Sequence, residues 1–202
     1  MIVLTNIAEL TPSAGFVVLI LLISFNSLEL KRKGVRVSAA GTRKPGNIKW
    51  FYPVFAFFFL LFLTEIFKPL HGFSLLPKVL TYFLFDFVLF RLTGVLAVFF
   101  SVFILIITLN HFGPSLRFGL NENNAGKLVK TGVFSRSRNP FFLSLLIFFT
   151  GTSLIFPNLF FLIFAISAFA GIHFSILKEE KFLYKVYDEE YKKYTAKVRR
   201  YF

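Results

Sequence analysis

"FFLSLLIFFTGTSLIFPNLFFLIFAISAFAGIHFSIL", Phe141 to Leu177, carries no lysine, arginine, aspartate or glutamate, and its apolar character is broken only by the dipeptide Pro157–Asn158. A membrane-spanning helix needs about 20 predominantly apolar residues, so this run is too long for one crossing. Pro-Asn is a turn signal. The stretch therefore reads as two helices in a tight antiparallel hairpin.

Working outward, Leu10–Leu30 and Phe51–Leu70 are two further candidate spans. Leu75–Asn110 exceeds one span and contains Asp86 and Arg91. Positive charge decides how it divides, because cytoplasmic loops collect lysine and arginine. Taking one span at Leu92–Leu109, with Leu75–Phe90 as a tilted lead-in, gives the cytoplasm the loops Lys31–Lys49 and Arg117–Arg138 and the tail Lys178–Arg200. Only Lys68, Lys78 and Arg91 are then left elsewhere. A sixth span would put the second loop and the tail opposite the first loop. The expected fold is all-α and polytopic, with about five transmembrane helices, the N-terminus outside, and a cytoplasmic C-terminal helical region.

Composition agrees. Hydrophobic residues make up 56% of the 202 positions, and 32 of them are Phe, against about 45–50% apolar residues in soluble domains. These Phe fall in long runs, and a soluble helix must keep one polar face. The net charge of +13 belongs to loops beside anionic lipid, so nucleic acid is not an expected partner. The absence of cysteine excludes disulfides and thiolate chemistry. The three isolated histidines form no metal motif. "MIVLTNIAEL" lacks a basic leader region and a small-residue cleavage site, so the first span is expected to be retained. "KRKGVRVSAAGTRKPGNIK" reads as a solvated loop.

Chemically suggestive residues gather at the open end of the hairpin. "TGVFSRSRNPFF" (Thr131–Phe142) enters its first helix and "KEEKFL" (Lys178–Leu183) leaves its second. Antiparallel packing should bring Arg136, Arg138 and Asn139 near Glu179 and Glu180. Pro140 suits a first helical position, and the helix N-terminus behind it favours an anionic group. Cations and N–H donors suit a carboxylate, acids suit an ammonium or ribose hydroxyls, and aromatics suit a purine. Taken alone, the same charges also suit plain membrane anchoring. In the tail, Tyr184, Tyr187, Tyr191 and Tyr194 follow helical spacing, as expected of a helix on the membrane face or against the core.

"KLVKTGVFSRSRNPFF" followed by "KEEKFLYKVYDEEYKKYTAKVRRYF" resembles the isoprenylcysteine carboxyl methyltransferase and phospholipid methyltransferase superfamily. The resemblance rests on Leu128, Val129, Gly132, Arg138, Pro140, Glu179, Glu180, Leu183, Tyr191, Tyr194, Val198 and Arg200 and covers about Thr93 to Phe202. It implies methyl transfer from S-adenosylmethionine to a lipid-like or isoprenoid-type acceptor reached within the bilayer. Residues 1–90 would be membrane helices and lead-in, and 91–202 the methyltransferase-like core. The implied cofactor residues are Gly126, Lys127, Leu128, Val129, Phe134, Arg138, Asn139, Pro140, Phe141, Phe142, Glu179 and Glu180. On the substrate side stands Ser175; apart from the resemblance, His173, an ionisable group in the apolar run, is equally a candidate to poise an acceptor or a glutamate and to bond a neighbouring helix. Asn139 replaces the family's histidine, Phe134 and Phe142 replace tyrosines, and Ser175 stands where prenylcysteine enzymes carry a carboxylate-binding arginine. These departures favour another lipid acceptor. They also leave open a non-catalytic lipid-binding relative, and the elbow is similar to one in the sterol reductases, so an enzyme of that type using NADPH is the alternative. A prokaryotic plasma membrane is the expected location.

Remaining residues have structural expectations. Ser167, Gly171 and Ser175 form a small-residue row suited to close helix packing. Asp86 and Arg91 are spaced to pair. Asn110 and His111 end the central span as a cap or a cofactor contact.

Overall fold

The computed structural model describes residues 2–34, 51–113 and 128–202, with side chains from Ile7 in the first helix and Pro53 in the second. Six α-helices follow in chain order: α1 Ile2–Arg32, α2 Phe51–His71, the short α3 Lys78–Thr81, α4 Val88–Phe112, α5 Pro140–Ile155 and α6 Leu159–Thr195. Among the described residues there is no strand beyond one isolated bridge between Phe83 and Asn158. Among the described residues four helices are long and apolar enough to cross a membrane: α1 from Ile7, α2 from Pro53, α4 and α6. The chain is thus an all-α polytopic membrane protein. The fifth expected span, α5, is apolar but has 16 residues, about 24 Å of helix against a hydrocarbon core of about 30 Å. It is a shorter companion to the four.

The hairpin turn forms as the sequence dictates. Pro157 cannot continue α5, and Asn158 caps α6 by accepting the Phe161 N–H at 3.0 Å through its side chain. The lead-in is less regular than a tilted helix. Beyond α3 the chain runs extended, and Leu84 N–H donates to Pro157 O. Helix α4 begins at Val88, ahead of the expected start, and so includes Arg91. This buried arginine is tolerated because Asp86 lies 2.9 Å away, Glu9 3.4 Å away, and the Phe83 ring under its guanidinium.

The described chain forms two compact units. The first comprises residues 1–18, 45–102 and 145–169 and packs through aromatic rings. Phe62 is 1% exposed, stacks on Phe164 at 4.2 Å and meets Phe149 and Phe161 edge-on at 5.5 and 5.7 Å. Two glycines allow α4 and α5 to touch backbone to backbone: a Cβ on Gly94 would lie 2.6 Å from Gly151 O, and one on Gly151 2.9 Å from Gly94 O. The expected small-residue row is not the close contact. A Cβ on Gly171 would meet open space, and Ser167 and Ser175 are exposed. Spacing shows that residues share a face, not that the face has a neighbour.

The second unit comprises residues 19–44, 103–144 and 170–202. At 1.5 Å per residue, about twenty residues of α6 suffice to cross a hydrocarbon core, a length that runs from Leu159 to Lys178. Its polar continuation bends at Asp188, whose φ of 41° is rare for a residue with a side chain. Past this bend Tyr191 and Tyr194 are buried together with Val198, and Leu128, Leu183 and Tyr187 pack around them. The tyrosine spacing marks a helix face turned inward.

Candidate functional site

The elbow between α4 and α5 is built on Gly132. It opens a 3-10 turn, Gly132–Ser135, at φ +63°, and any Cβ there would fall inside the His111 ring. Only glycine meets both demands. His111 itself bonds the Ile107 carbonyl at 2.8 Å through Nδ1, so its described roles are packing and local hydrogen bonding. Phe134, on the same turn, is buried and meets Phe112 edge to face at 4.7 Å. Its carbonyl accepts the Tyr194 hydroxyl at 2.6 Å. The elbow then passes through Ser137 and Arg138 to Asn139 and Pro140, where α5 starts with proline in its first position.

The chain's last residues fold back onto this elbow. Arg138 N–H donates to Arg199 O at 3.0 Å, and Asn139 Nδ2 donates to Arg200 O at 3.1 Å. Ser137 Oγ accepts the Asn139 backbone N–H and lies 3.5 Å from Arg200 O. Glu180 is the centre of the arrangement, with its side chain 8% exposed. Arg138 Nη2 reaches Glu180 Oε1 at 2.8 Å. Arg200 grips the same carboxylate with Nη2 at 2.8 Å and Nε at 3.1 and 3.2 Å. Arg138 also donates through Nη1 to Thr195 O at 3.3 Å, and its buried Nε has no partner.

Charge separates the two adjacent acids. Burial pushes the Glu180 carboxyl up, but the Arg200 hydrogen bond and the charges of Arg138 and Arg200 outweigh it and hold the group below its ordinary value. Glu179 makes no hydrogen bond or ion pair among the described residues. Burial first, then the charge of Glu180, pushes its carboxyl up to about 6. One acid is committed to structure and the other is left with its acceptor capacity unused.

Of the residues expected at the site, Arg138, Asn139 and Glu180 are brought together: Glu180 binds both Arg138 and Arg200, and the Arg200 carbonyl binds Asn139. Phe134 joins them through Tyr194. Leu128 packs on the tyrosine cluster, while Val129 and Pro140 lie beside these contacts in the chain. Phe141 and Phe142 stand edge to face at 5.8 Å. Gly126 and Lys127 lie outside the described residues. Arg136, expected near the acids, is exposed and reaches none of them among the described residues. His173 Nδ1 lies 2.8 Å from the Tyr201 hydroxyl. Ser175 is exposed and turns its hydroxyl to Gly171 O at 2.9 Å. The expected set omitted Arg200, Tyr201, Tyr194 and Ser137. A signal existed for two of these, since Tyr194 and Arg200 are part of the tail pattern, but the pattern does not say which groups they touch.

The family model of the phospholipid methyltransferases matches residues 89–190, just over half of the chain. It takes in α4, the elbow, α5 and α6 past the paired acids, and stops short of Arg200. No curated protein matches the chain. The chain belongs to the phospholipid methyltransferase family and is a membrane methyltransferase.

Proposed function

We propose that this membrane methyltransferase transfers the methyl group of S-adenosylmethionine to an amine on a lipid headgroup. The observation that carries the reading is the unequal state of Glu179 and Glu180. With Glu180 neutralised by Arg138 and Arg200, Glu179 is the acid that remains to bind an ammonium or a ribose hydroxyl. The donor set suits S-adenosylmethionine on several counts. The buried Nε of Arg138 is an unused donor. Asn139 keeps its Oδ1 as an acceptor, and the rings of Phe134, Phe141 and Phe142 can cover a purine. Leu128 and Val129, with Gly126 and Lys127 before them, complete the residues that the family resemblance assigns to the cofactor.

Bound there, S-adenosylmethionine would supply an electrophilic methyl group on a sulfonium. The chain's own work is then binding, alignment and exclusion of water. Glu179 holds the donor by a charge-assisted hydrogen bond. The aromatic residues keep the reacting groups dry. The amine nitrogen would take the methyl carbon as the carbon–sulfur bond breaks, leaving neutral S-adenosylhomocysteine, and the nitrogen's proton would pass to water at the headgroup. A carboxylate acceptor is less well served. The charges of Arg138 and Arg200 are compensated by Glu180, and Ser175 offers only a hydroxyl already bonded to its own helix. The family match also favours methyl transfer over a nicotinamide-dependent reduction. The cation distribution supports a cytoplasmic elbow and tail, and a reporter fused after Phe202 should report cytoplasm.

The test is an acceptor and cofactor panel on the detergent-solubilised protein. S-adenosylmethionine should bind and NADPH should not. An aminophospholipid should be methylated in preference to a prenylcysteine analogue. Efficient carboxyl methylation of the analogue would overturn the amine assignment.

A further inference from the structure

Asn139 stands where the family carries a histidine, and it is 8% exposed. A side-chain amide has a donor end and an acceptor end, and which end faces a ligand decides what the site can recognise. In this chain the choice is made by the tail. The Nδ2 group faces the carbonyl oxygen of Arg200 at 3.1 Å. A carbonyl accepts and cannot donate, so the NH2 end must point there. The backbone N–H of Asn139 is likewise committed, to Ser137 Oγ at 3.2 Å. The acceptor Oδ1 is left for the site.

The carbonyl that fixes this amide is itself held in place. The Arg200 guanidinium grips Glu180 with three contacts of 2.8–3.2 Å, and Arg199 O is tied to the Arg138 N–H. Tyr201 adds a contact to His173. One residue thus joins the paired acids to the elbow, by its side chain on one side and its main chain on the other. Arg200 lies beyond the segment that the family model matches.

We propose that Arg200 is a positioning residue of the methyl-transfer site: its guanidinium anchors the chain terminus on Glu180, and its carbonyl holds the Asn139 amide with Oδ1 turned to the ligand. This rests on the methyl-transfer reading above and deepens it. Arg200 touches no reacting atom. It acts through Asn139 and Glu180, and a lysine in its place offers a single point charge where the guanidinium offers a planar fork.

The experiment has two independent readouts. The first is the side-chain amide signal of Asn139 in protein labelled with 15N-asparagine, assigned by its loss in Asn139→Asp. In the native chain these protons should exchange slowly. In Arg200→Ala and in a chain ending at Val198 they should exchange as freely as a solvated amide. The second is steady-state kinetics. Arg200→Ala should lower kcat by roughly 10- to 100-fold, the scale of a misplaced reacting geometry, with KM changed much less. Arg200→Lys should recover part of the loss, and Arg199→Ala, which keeps its backbone carbonyl, should behave as wild type. Slow exchange that survives the truncation would overturn the proposal, whatever the activity. A protected amide lost on truncation, in a wild-type protein that binds no S-adenosylmethionine, would uphold the positioning contact and overturn the methyl-transfer reading instead.

Discussion

Phe62 in the first unit is enclosed by Phe149, Phe161 and Phe164, while Glu180 in the second is enclosed by Arg138 and Arg200. Both side chains are buried and both hold several chain segments together, but by different physics. Ring packing is non-directional and tolerates exchange of one apolar side chain for another of similar volume. An ion triad must recover the cost of removing its charges from water, and it succeeds only with every partner in place. A fold needs only the first kind of region to persist. The second kind is retained where particular polar groups have to be held in particular orientations, and here it coincides with the proposed site.

The largest effects should come from breaking either centre alone. Phe62→Ala should cost about 3–5 kcal/mol. Glu180→Ala should cost about 3 kcal/mol, chiefly by stranding the largely buried Arg138 guanidinium, with the partly exposed Arg200 contributing less. The comparison sharpens when the whole triad is replaced. Glu180→Leu with Arg138→Met and Arg200→Met should restore most of the stability lost in Glu180→Ala, since well-packed apolar replacements of buried ion triads are often neutral. It should not restore methyl transfer. Thermal denaturation in detergent, run beside a methylation assay, separates these outcomes. Recovery of both would mean that the polar network is only another kind of packing.

Backbone contacts come next. Gly151→Ala forces α4 and α5 apart and should cost about 1–3 kcal/mol by overpacking. Gly132→Ala adds a positive-φ penalty of about 1–2 kcal/mol to its collision with His111. The first substitution should lower thermal stability and leave S-adenosylmethionine affinity near wild type in the protein that remains folded. The second should weaken both.

Titration distinguishes the two acids. Glu180 has a lowered carboxyl value, so its contribution is present above the ordinary value of 4.5 and is lost as pH falls below it. Glu179 is raised to about 6. Its contribution to the ligand-free fold is fully present below 4.5 and declines as pH rises through about 6. Cofactor binding runs the other way for Glu179, because the charged form is the better acceptor. Affinity for S-adenosylmethionine should weaken as pH falls below about 6, and Glu179→Gln should flatten that limb. The smallest effect belongs to the exposed pair of Lys130 and Glu190, 2.6 Å apart. Breaking it with Glu190→Gln should cost under about 1 kcal/mol and be masked by added salt.

Much of the fold was legible because it rests on length and local chemistry. The Pro157–Asn158 turn, the start of α5 at Pro140 and the pairing of Asp86 with Arg91 all follow from residues close in sequence. The contact between Gly94 and Gly151 was not legible, because no periodicity links positions on different helices. The bend at Asp188 lies in a charged run where aspartate carries no special signal. The site was half legible. Motif spacing gave Arg138, Asn139 and the paired acids, but not the ion triad that sets Glu180 apart from Glu179. Their difference depends on Arg200, which reaches Glu180 only because the chain turns back after Thr195.

That difference is the central claim, and calorimetric titration of S-adenosylmethionine into the wild type, Glu179→Ala and Glu189→Ala tests it most directly. Glu179→Ala should lose a charge-assisted hydrogen bond, about 1.5–3 kcal/mol or roughly 10- to 150-fold in affinity. Glu189 is exposed and paired with Lys192, and its replacement should leave affinity within about twofold of wild type, as expected of a surface ion pair. Equal affinities for the two variants would contradict the account and reduce the paired acids to structural and anchoring groups.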